Sequence, residues 1–315
     1  MNAHINWMSR VDAYLDYRRS HGYKLTIDGS QLQSFARFAD QAQAQEHLTV
    51  ALATAWARTS KSQNAFTFAR RLETLRGFAR FCQREDPQTE IPPRGLLGSA
   101  HRRLVPHIYT EDELRQLLDT ARVLEPRNGL RAASCWCIFG LLAASGLRIS
   151  EALALTHKDI DLKAGTLHIQ EAKFNKQRIV PLHSSVVEAL VEYNQRRNRL
   201  TQRPICDKFF LRDDGKGVNQ RGVRYALQCL CKQLGWQPRG DYPHHRLHDF
   251  RHTFIVHSVL NAYRQGSDID RAVLALSNYV GHAKVSDTYW YFTGIPELMV
   301  IAAQRFEHYA QEVSQ

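Results

Sequence analysis

The sequence predicts a mainly α-helical protein with one small antiparallel β-sheet, arranged in two domains. Three observations carry this. Apolar residues recur at helical spacing along most of the 315 residues. Strand-like alternation is confined to the stretch between Asp159 and Leu182. A segment rich in Pro and Gly, from Asp86 to Pro106, interrupts the helical pattern once. The length itself fits about two domains, at roughly 150 residues each.

Residues 4–21 read as an amphipathic helix, with Ile5, Met8, Val11 and Leu15 near the helical period. Leu32, Phe35, Phe38 and Ala39 mark a second helix, His47 to Trp56 a third, and Ser62 to Phe81 a fourth. No alternating segment separates them, so residues 1–95 read as a helical bundle. Ile91-Pro92-Pro93-Arg94-Gly95 leads into an extended basic linker, residues 96–107, containing Arg102 and Arg103. The domain boundary is expected near residue 100, with the second domain spanning 108–315.

That domain should open on a helix, because Thr110-Glu111-Asp112-Glu113 spells a capping box in which Thr110 and Glu113 satisfy the first free N–H groups. Residues 131–145 form an apolar helix closed by Gly146 in a left-handed conformation. Ser150-Glu151 begins a short helix. Asp159–Leu162, Thr166–Glu171 and Arg178–Leu182 make a three-stranded antiparallel unit, its apolar alternation on Leu167, Ile169 and Ile179, with Pro181 suited to an edge. Helical spacing resumes over 184–200, 219–234, 247–264, 268–280 and 296–312.

A hydrophobic content of 43% with 23% charged residues excludes a mainly disordered chain. The longest apolar run, Cys135 to Ser145, is far short of the ~20 residues of a membrane span. Residues Met1 to Trp7 lack a basic segment followed by an apolar one, so no signal peptide is expected and the protein is expected in the cytoplasm. Cysteines at 82, 135, 137, 206, 229 and 231 have no metal-ligand spacing and read as buried free thiols, with no metal or cofactor. The formal charge is +11, and the excess is spread along the chain: residues 1–100 hold 13 Lys+Arg against 9 Asp+Glu, the remainder 29 against 22. Such a balance suits a polyanionic partner, and suits solubility equally well.

Three clusters in the second domain could carry chemistry. The first is Ser145-Gly146-Leu147-Arg148-Ile149-Ser150-Glu151. In the second, Leu247-His248-Asp249-Phe250-Arg251-His252, helical spacing puts His248 and Arg251 on one face. The third is Tyr279-Val280-Gly281-His282, followed by Asp287-Thr288-Tyr289-Trp290-Tyr291. Singly, each is also explained by an ion pair, a partly buried histidine or an aromatic stripe. Together and in this order, SGLRISEAL, HDFRHTF and VGH with a tyrosine nine residues on resemble the signature of the tyrosine recombinases, the phage-integrase family. The resemblance runs from about residue 108 to 295, and the helical bundle with its linker looks like that family's SAM-like core-binding domain.

The resemblance implies a site-specific DNA recombinase or integrase from a mobile genetic element, acting through a 3′-phosphotyrosine. Arg148 and Arg251 match its two arginines, His248 and His282 its two histidines, Tyr291 its nucleophile and Glu151 the acid that supports the first arginine. Lys173 matches the hairpin lysine, with Lys176 its local competitor; Tyr289 and Tyr279 compete with Tyr291. Arg94, Arg102 and Arg103 would follow a DNA backbone. The partner implied is double-stranded DNA, bound by a homotetramer on two sites through an exchanged C-terminal helix, with helper or partner recombinases and no membrane. The chemistry suits these residue types. Two guanidiniums pair with phosphate oxygens. A tyrosine with an ordinary pKa near ~10 needs a base or nearby positive charge, for which His248 is placed. Two other readings share the fold: a type IB topoisomerase-like relaxing enzyme, and a DNA-binding regulator without activity.

Overall fold

The computed structural model describes residues 6–42, 47–102, 104–126, 129–170, 177–201, 204–282 and 284–292. The chain forms two compact units, Met1–Arg103 and Leu104–Gln315.

In the first unit, helices α1 (Trp7–Ser20), α2 (Thr26–Gln41), α3 (Val50–Arg58) and α4 (Ala65–Cys82) enclose an aromatic core. Phe35 sits at its centre, meeting Trp7 edge-on at 5.7 Å and Trp56 at 5.5 Å, geometries that favour the ring quadrupoles. Three helices start on side-chain caps: Asn6 accepts from the Ser9 amide, Thr49 from Leu52 and Asn64 from Phe66. The Thr49 cap starts the third helix at Val50, later than the apolar pattern from His47 suggested; His47 instead pairs with Asp86 at 2.8 Å. Leu97 still packs on this core, whereas Val105 exchanges hydrogen bonds with Asp241 of the second unit. The segment read as a linker is thus divided between the two units.

The second unit opens on α5 (Glu111–Arg122), whose capping box forms as the sequence specifies: Thr110 Oγ1 accepts from the Glu113 amide and Glu113 accepts from the Thr110 amide. α6 (Leu130–Ser145) follows at the centre of the core, with Leu130, Ile138, Phe139, Leu141 and Leu142 buried on all sides. After α7 (Ile149–Ala154) come β1 (Ile160–Asp161), β2 (Thr166–Gln170) and β3 (Gln177–Pro181), antiparallel in the order β1-β2-β3. The register sets Leu167 opposite Val180 and Ile169 opposite Arg178. That register corrects one sequence expectation: the inward apolar residue of β3 is Val180, and Ile179, 60% exposed, faces outward.

α8 (Ser184–Leu200), α9 (Gln220–Gln233), α10 (Leu247–Arg264) and α11 (Ile269–Val280) complete the helical shell. A short helix α12 (Ser286–Tyr289) runs into a 3₁₀ turn at Trp290–Phe292. A second cluster of Ile255, Val256, Val259, Val280 and Tyr291 ties α10, α11 and this turn together. The helix expected at 296–312 lies outside the described residues. Cys82, Cys135, Cys137 and Cys231 are buried free thiols as expected, while Cys206 and Cys229 are only half-buried. Among the described residues no helix is long and apolar enough to cross a membrane.

Candidate active site

The site is built on two helix ends. α6 stops at Gly146 (φ 60°) and α11 at Gly281 (φ 70°), both left-handed. At Gly146 a side chain is excluded twice, by that φ and because a Cβ would fall 2.5 Å from the Phe254 ring. At the end of α11 the Gly281 amide donates to Asn278 and the His282 amide to Ser277, a Schellman closure that uses two carbonyls of the last turn. The next three carbonyls, of Tyr279, Val280 and Gly281, carry the negative end of the helix dipole and need donors.

Three arginines from three elements supply them. Arg251, on the second turn of α10, donates to the Val280 carbonyl at 2.7 Å and to the Gly146 carbonyl at 2.8 Å, so one side chain joins both helix ends. Arg148 donates to the Gly281 carbonyl at 2.9 Å, and Arg178 to the Tyr279 carbonyl at 3.1 Å. Arg251 is 1% exposed. Burial, then Arg148, pulls its pKa down to about 10, which leaves it charged at neutral pH.

Glu151 links Arg148 to Arg178. It accepts from the Arg148 amide at 2.9 Å and its guanidinium at 2.7 Å, and from Arg178 at 2.8 and 3.2 Å. Burial would raise the pKa of this carboxyl, but hydrogen bonds from Arg178 and the Arg148 amide outweigh that and hold it below the ordinary carboxylate value. Arg178 escaped the reading of site residues. Alternation with Ile179 inward turns residue 178 outward; the β2–β3 register instead puts it two positions from Val180 on the inner face, where a guanidinium must find partners.

The remaining groups meet at the turn after α12. Tyr291, 8% exposed, stacks on His282 at 5.8 Å with 17° between the rings, and lies 4.9 Å from the ring of His252. His252 in turn meets His248 edge-on at 4.7 Å. His282 shares a hydrogen bond of 2.7 Å between Nδ1 and the Thr288 hydroxyl. The pKa of His282 is pushed down to about 4 by burial and then by Arg251 and Arg148. That of His248 also falls to about 4, from the protein crowded around its ring and then Arg251, Arg246 and Arg148, although one side of the residue opens to solvent. Both imidazoles are therefore neutral at pH 7. Burial raises the pKa of Tyr291 above its ordinary value, and the charges of Arg251 and Arg148 oppose that rise.

The competing tyrosines are engaged elsewhere. Tyr289, 44% exposed, donates to Asp270 at 2.9 Å, and Tyr279 stacks on Phe254 and donates to the Pro181 carbonyl at 3.1 Å. Arg148, Glu151, His248, Arg251, His282 and Tyr291 are thus brought into one site. Lys173, Lys176 and Arg103 lie outside the described residues. Arg94 and Arg102 are exposed in the first unit.

A tyrosine hydroxyl beside two fixed guanidiniums and two neutral imidazoles is equipped to take up a phosphoryl group, with the charge of the transferring phosphate held by the arginines. The fold and this site together define a protein equipped for phosphoryl transfer, with a buried tyrosine set among arginines and histidines. Residues 108–294 match the phage integrase family model, and the chain belongs to that family, the tyrosine recombinases. It is 36% identical over 94% of its length to a protein of Sinorhizobium fredii named as an integrase/recombinase, y4rB, covering 96% of that protein. It is 30% identical over 90% of its length to the tyrosine recombinase XerC of Halalkalibacterium halodurans, covering 91% of that chain. Among solved structures, the Tn1549 transposon integrase with transposon right-end DNA shares the fold at a TM-score of 0.68 and 16% identity, over 96% of this chain and 99% of that one. XerH recombinase in a post-cleavage complex with difH matches at 0.65 and 17%, over 98% of this chain and 91% of that one.

Proposed function

We propose that the protein is a site-specific DNA recombinase that cuts and rejoins duplex DNA through a covalent 3′-phosphotyrosine at Tyr291. Family membership supports the class of reaction. The observation that carries the residue assignment is the packing of Tyr291 against His282 beside Arg148 and Arg251, whose guanidiniums are held on successive carbonyls of one helix end.

In this reading Arg148 and Arg251 grip the non-bridging oxygens of the scissile phosphate. His248, neutral and with one unprotonated ring nitrogen at pH 7, accepts the Tyr291 proton as the Tyr291 oxygen bonds to phosphorus. Bound phosphate brings negative charge next to the histidines, offsets the arginines and raises their basicity when it is needed. His282 donates a hydrogen bond to a phosphate oxygen. The bond to the 5′-oxygen breaks and that oxygen takes a proton from Lys173. Glu151 and Arg178 keep Arg148 in place. The bond energy is conserved in the phosphotyrosine, so a 5′-hydroxyl from another strand can reverse the sequence without ATP.

The solved relatives with this fold include recombinases bound to DNA, among them a transposon integrase, which supports a mobile-element role and DNA as partner here. The exposed Arg94 and Arg102, with Arg103, are proposed to contact DNA backbone, in a contact that weakens steeply with salt. A tetramer on two sites, assembled through residues 296–312 and acting in the cytoplasm, completes the proposal.

The test is a nicked duplex taken from DNA flanking the gene, which traps the adduct when the cut fragment diffuses away. The account expects a detergent-resistant adduct that forms in EDTA and is abolished by Tyr291→Phe. An adduct that persists in Tyr291→Phe would overturn it. Relaxation of any supercoiled plasmid, without a sequence requirement, would point to the topoisomerase-like reading.

A further inference from the structure

Thr288 has no part in the chemistry above, yet it is 0% exposed and its hydroxyl lies 2.7 Å from Nδ1 of His282. Which ring nitrogen of a neutral histidine carries the proton is decided by the partner of the other nitrogen. We propose that Thr288 is a positioning residue: its hydroxyl donates to Nδ1 of His282 and so keeps the proton on Nε2, where the ring can donate to a DNA phosphate. The proposal rests on the reading of His282 as a phosphate donor.

The described surroundings of the hydroxyl argue for this direction of the hydrogen bond. Among the described residues, the Thr288 hydroxyl makes no other side-chain hydrogen bond. If Nδ1 carried the proton and Thr288 accepted it, a buried hydroxyl hydrogen would be left without an acceptor, the costly arrangement. A doubly protonated ring would demand the same acceptor role of Thr288, and it is disfavoured by burial and by Arg251, Arg148 and His248, with Asp287 opposing them.

The rest of the ring's environment is already set. The His282 amide is pinned to the Ser277 carbonyl at 2.9 Å, and its ring lies nearly parallel to that of Tyr291. With backbone and ring plane fixed, the ring flip and the tautomer remain, and a donor hydroxyl at Nδ1 sets both. The residue sits on α12, three positions before Tyr291, so the turn that delivers the tyrosine also aims the histidine.

The experiment has two readouts. Long-range proton–nitrogen correlation on protein with ¹⁵N-histidine, with the His282 signals identified by their loss in His282→Asn, reports the tautomer directly. Single-turnover adduct formation on a nicked duplex reports the consequence. The expected result is an Nε2–H tautomer in the unaltered protein and in Thr288→Ser, and a mixed or inverted tautomer in Thr288→Val. Adduct formation should slow roughly tenfold in Thr288→Val, the loss of about one hydrogen bond, and stay within about threefold in Thr288→Ser. An Nδ1–H tautomer in the unaltered protein overturns the proposal, whether or not any variant folds. So does an unchanged tautomer and rate in Thr288→Val. Absence of any adduct from the unaltered protein would instead contradict the recombinase reading, leaving the tautomer measurement to stand by itself.

Discussion

Two groups of histidines in the second unit are alike in basicity and unlike in their company. His107 and His245 meet ring to ring at 4.5 Å, stacked among Tyr109 and Trp236. His248, His252 and His282 gather around Tyr291. Burial heads the causes in both groups, taking His107 and His282 down to about 4 and His252 to about 2. Depressed basicity therefore marks enclosure, and by itself says nothing about chemistry. The difference lies in the cations. Arg239, beside the first group, is spent on Glu113 and the Ile108 carbonyl, closing a structural knot around the entry to α5. Arg251, beside the second, is anchored to two backbone carbonyls that leave its charge unneutralised, and Arg148, on the Gly281 carbonyl, shares the single carboxylate of Glu151 with Arg178, so positive charge is in excess next to a tyrosine. A carbonyl holds a guanidinium without cancelling it, which is what a phosphate site requires.

Substitutions can break or sharpen this contrast. The largest effect is expected at Arg251. Arg251→Met removes the donor from two helix ends and the charge from the phosphate, and adduct formation should fall by roughly 10³-fold, the scale for loss of a preorganised donor. His107→Phe, in the other group, should leave the rate within about threefold. Glu151→Gln should cost less, on the order of tenfold to a hundredfold in single-turnover rate, because Arg148 keeps its Gly281 carbonyl but loses its ionic partner.

A third prediction concerns the pH dependence of stability that His107 contributes. His107 is neutral when folded, with a pKa of about 4, and takes up a proton near the ordinary 6.5 when unfolded. The unfolded chain then binds more protons below pH 6.5, so this contribution to stability is full above 6.5 and is lost as the pH falls toward 4. In chemical denaturation the loss over that window should be smaller in His107→Phe than in the unaltered protein, by on the order of 3 kcal/mol. The smallest effect is expected at Tyr289, whose hydroxyl points to Asp270: Tyr289→Phe should change adduct formation less than twofold.

Much of this was legible in the sequence, and what was not shares a cause. The capping box at Thr110, the left-handed stop at Gly146 and the helical faces of α10 and α11 depend on neighbours within a turn or two, so spacing reveals them. Arg178 is different. Its partners Glu151 and Tyr279 are 27 and 101 residues away, and its place on the inner face depends on a register that the β2–β3 pairing decides. The same register moved the apolar position from Ile179 to Val180. Nothing in the spacing singles out Thr288, because only the fold brings its hydroxyl to the ring of His282.

The central claim is that Tyr291 is the residue joined to DNA. Mass spectrometry of the trapped adduct, after nuclease and protease digestion, tests it most directly. The expected product is a nucleotide attached through its 3′-phosphate to the peptide position of Tyr291. The same mass on Tyr289 or Tyr279, or attachment through a 5′-phosphate, would contradict it.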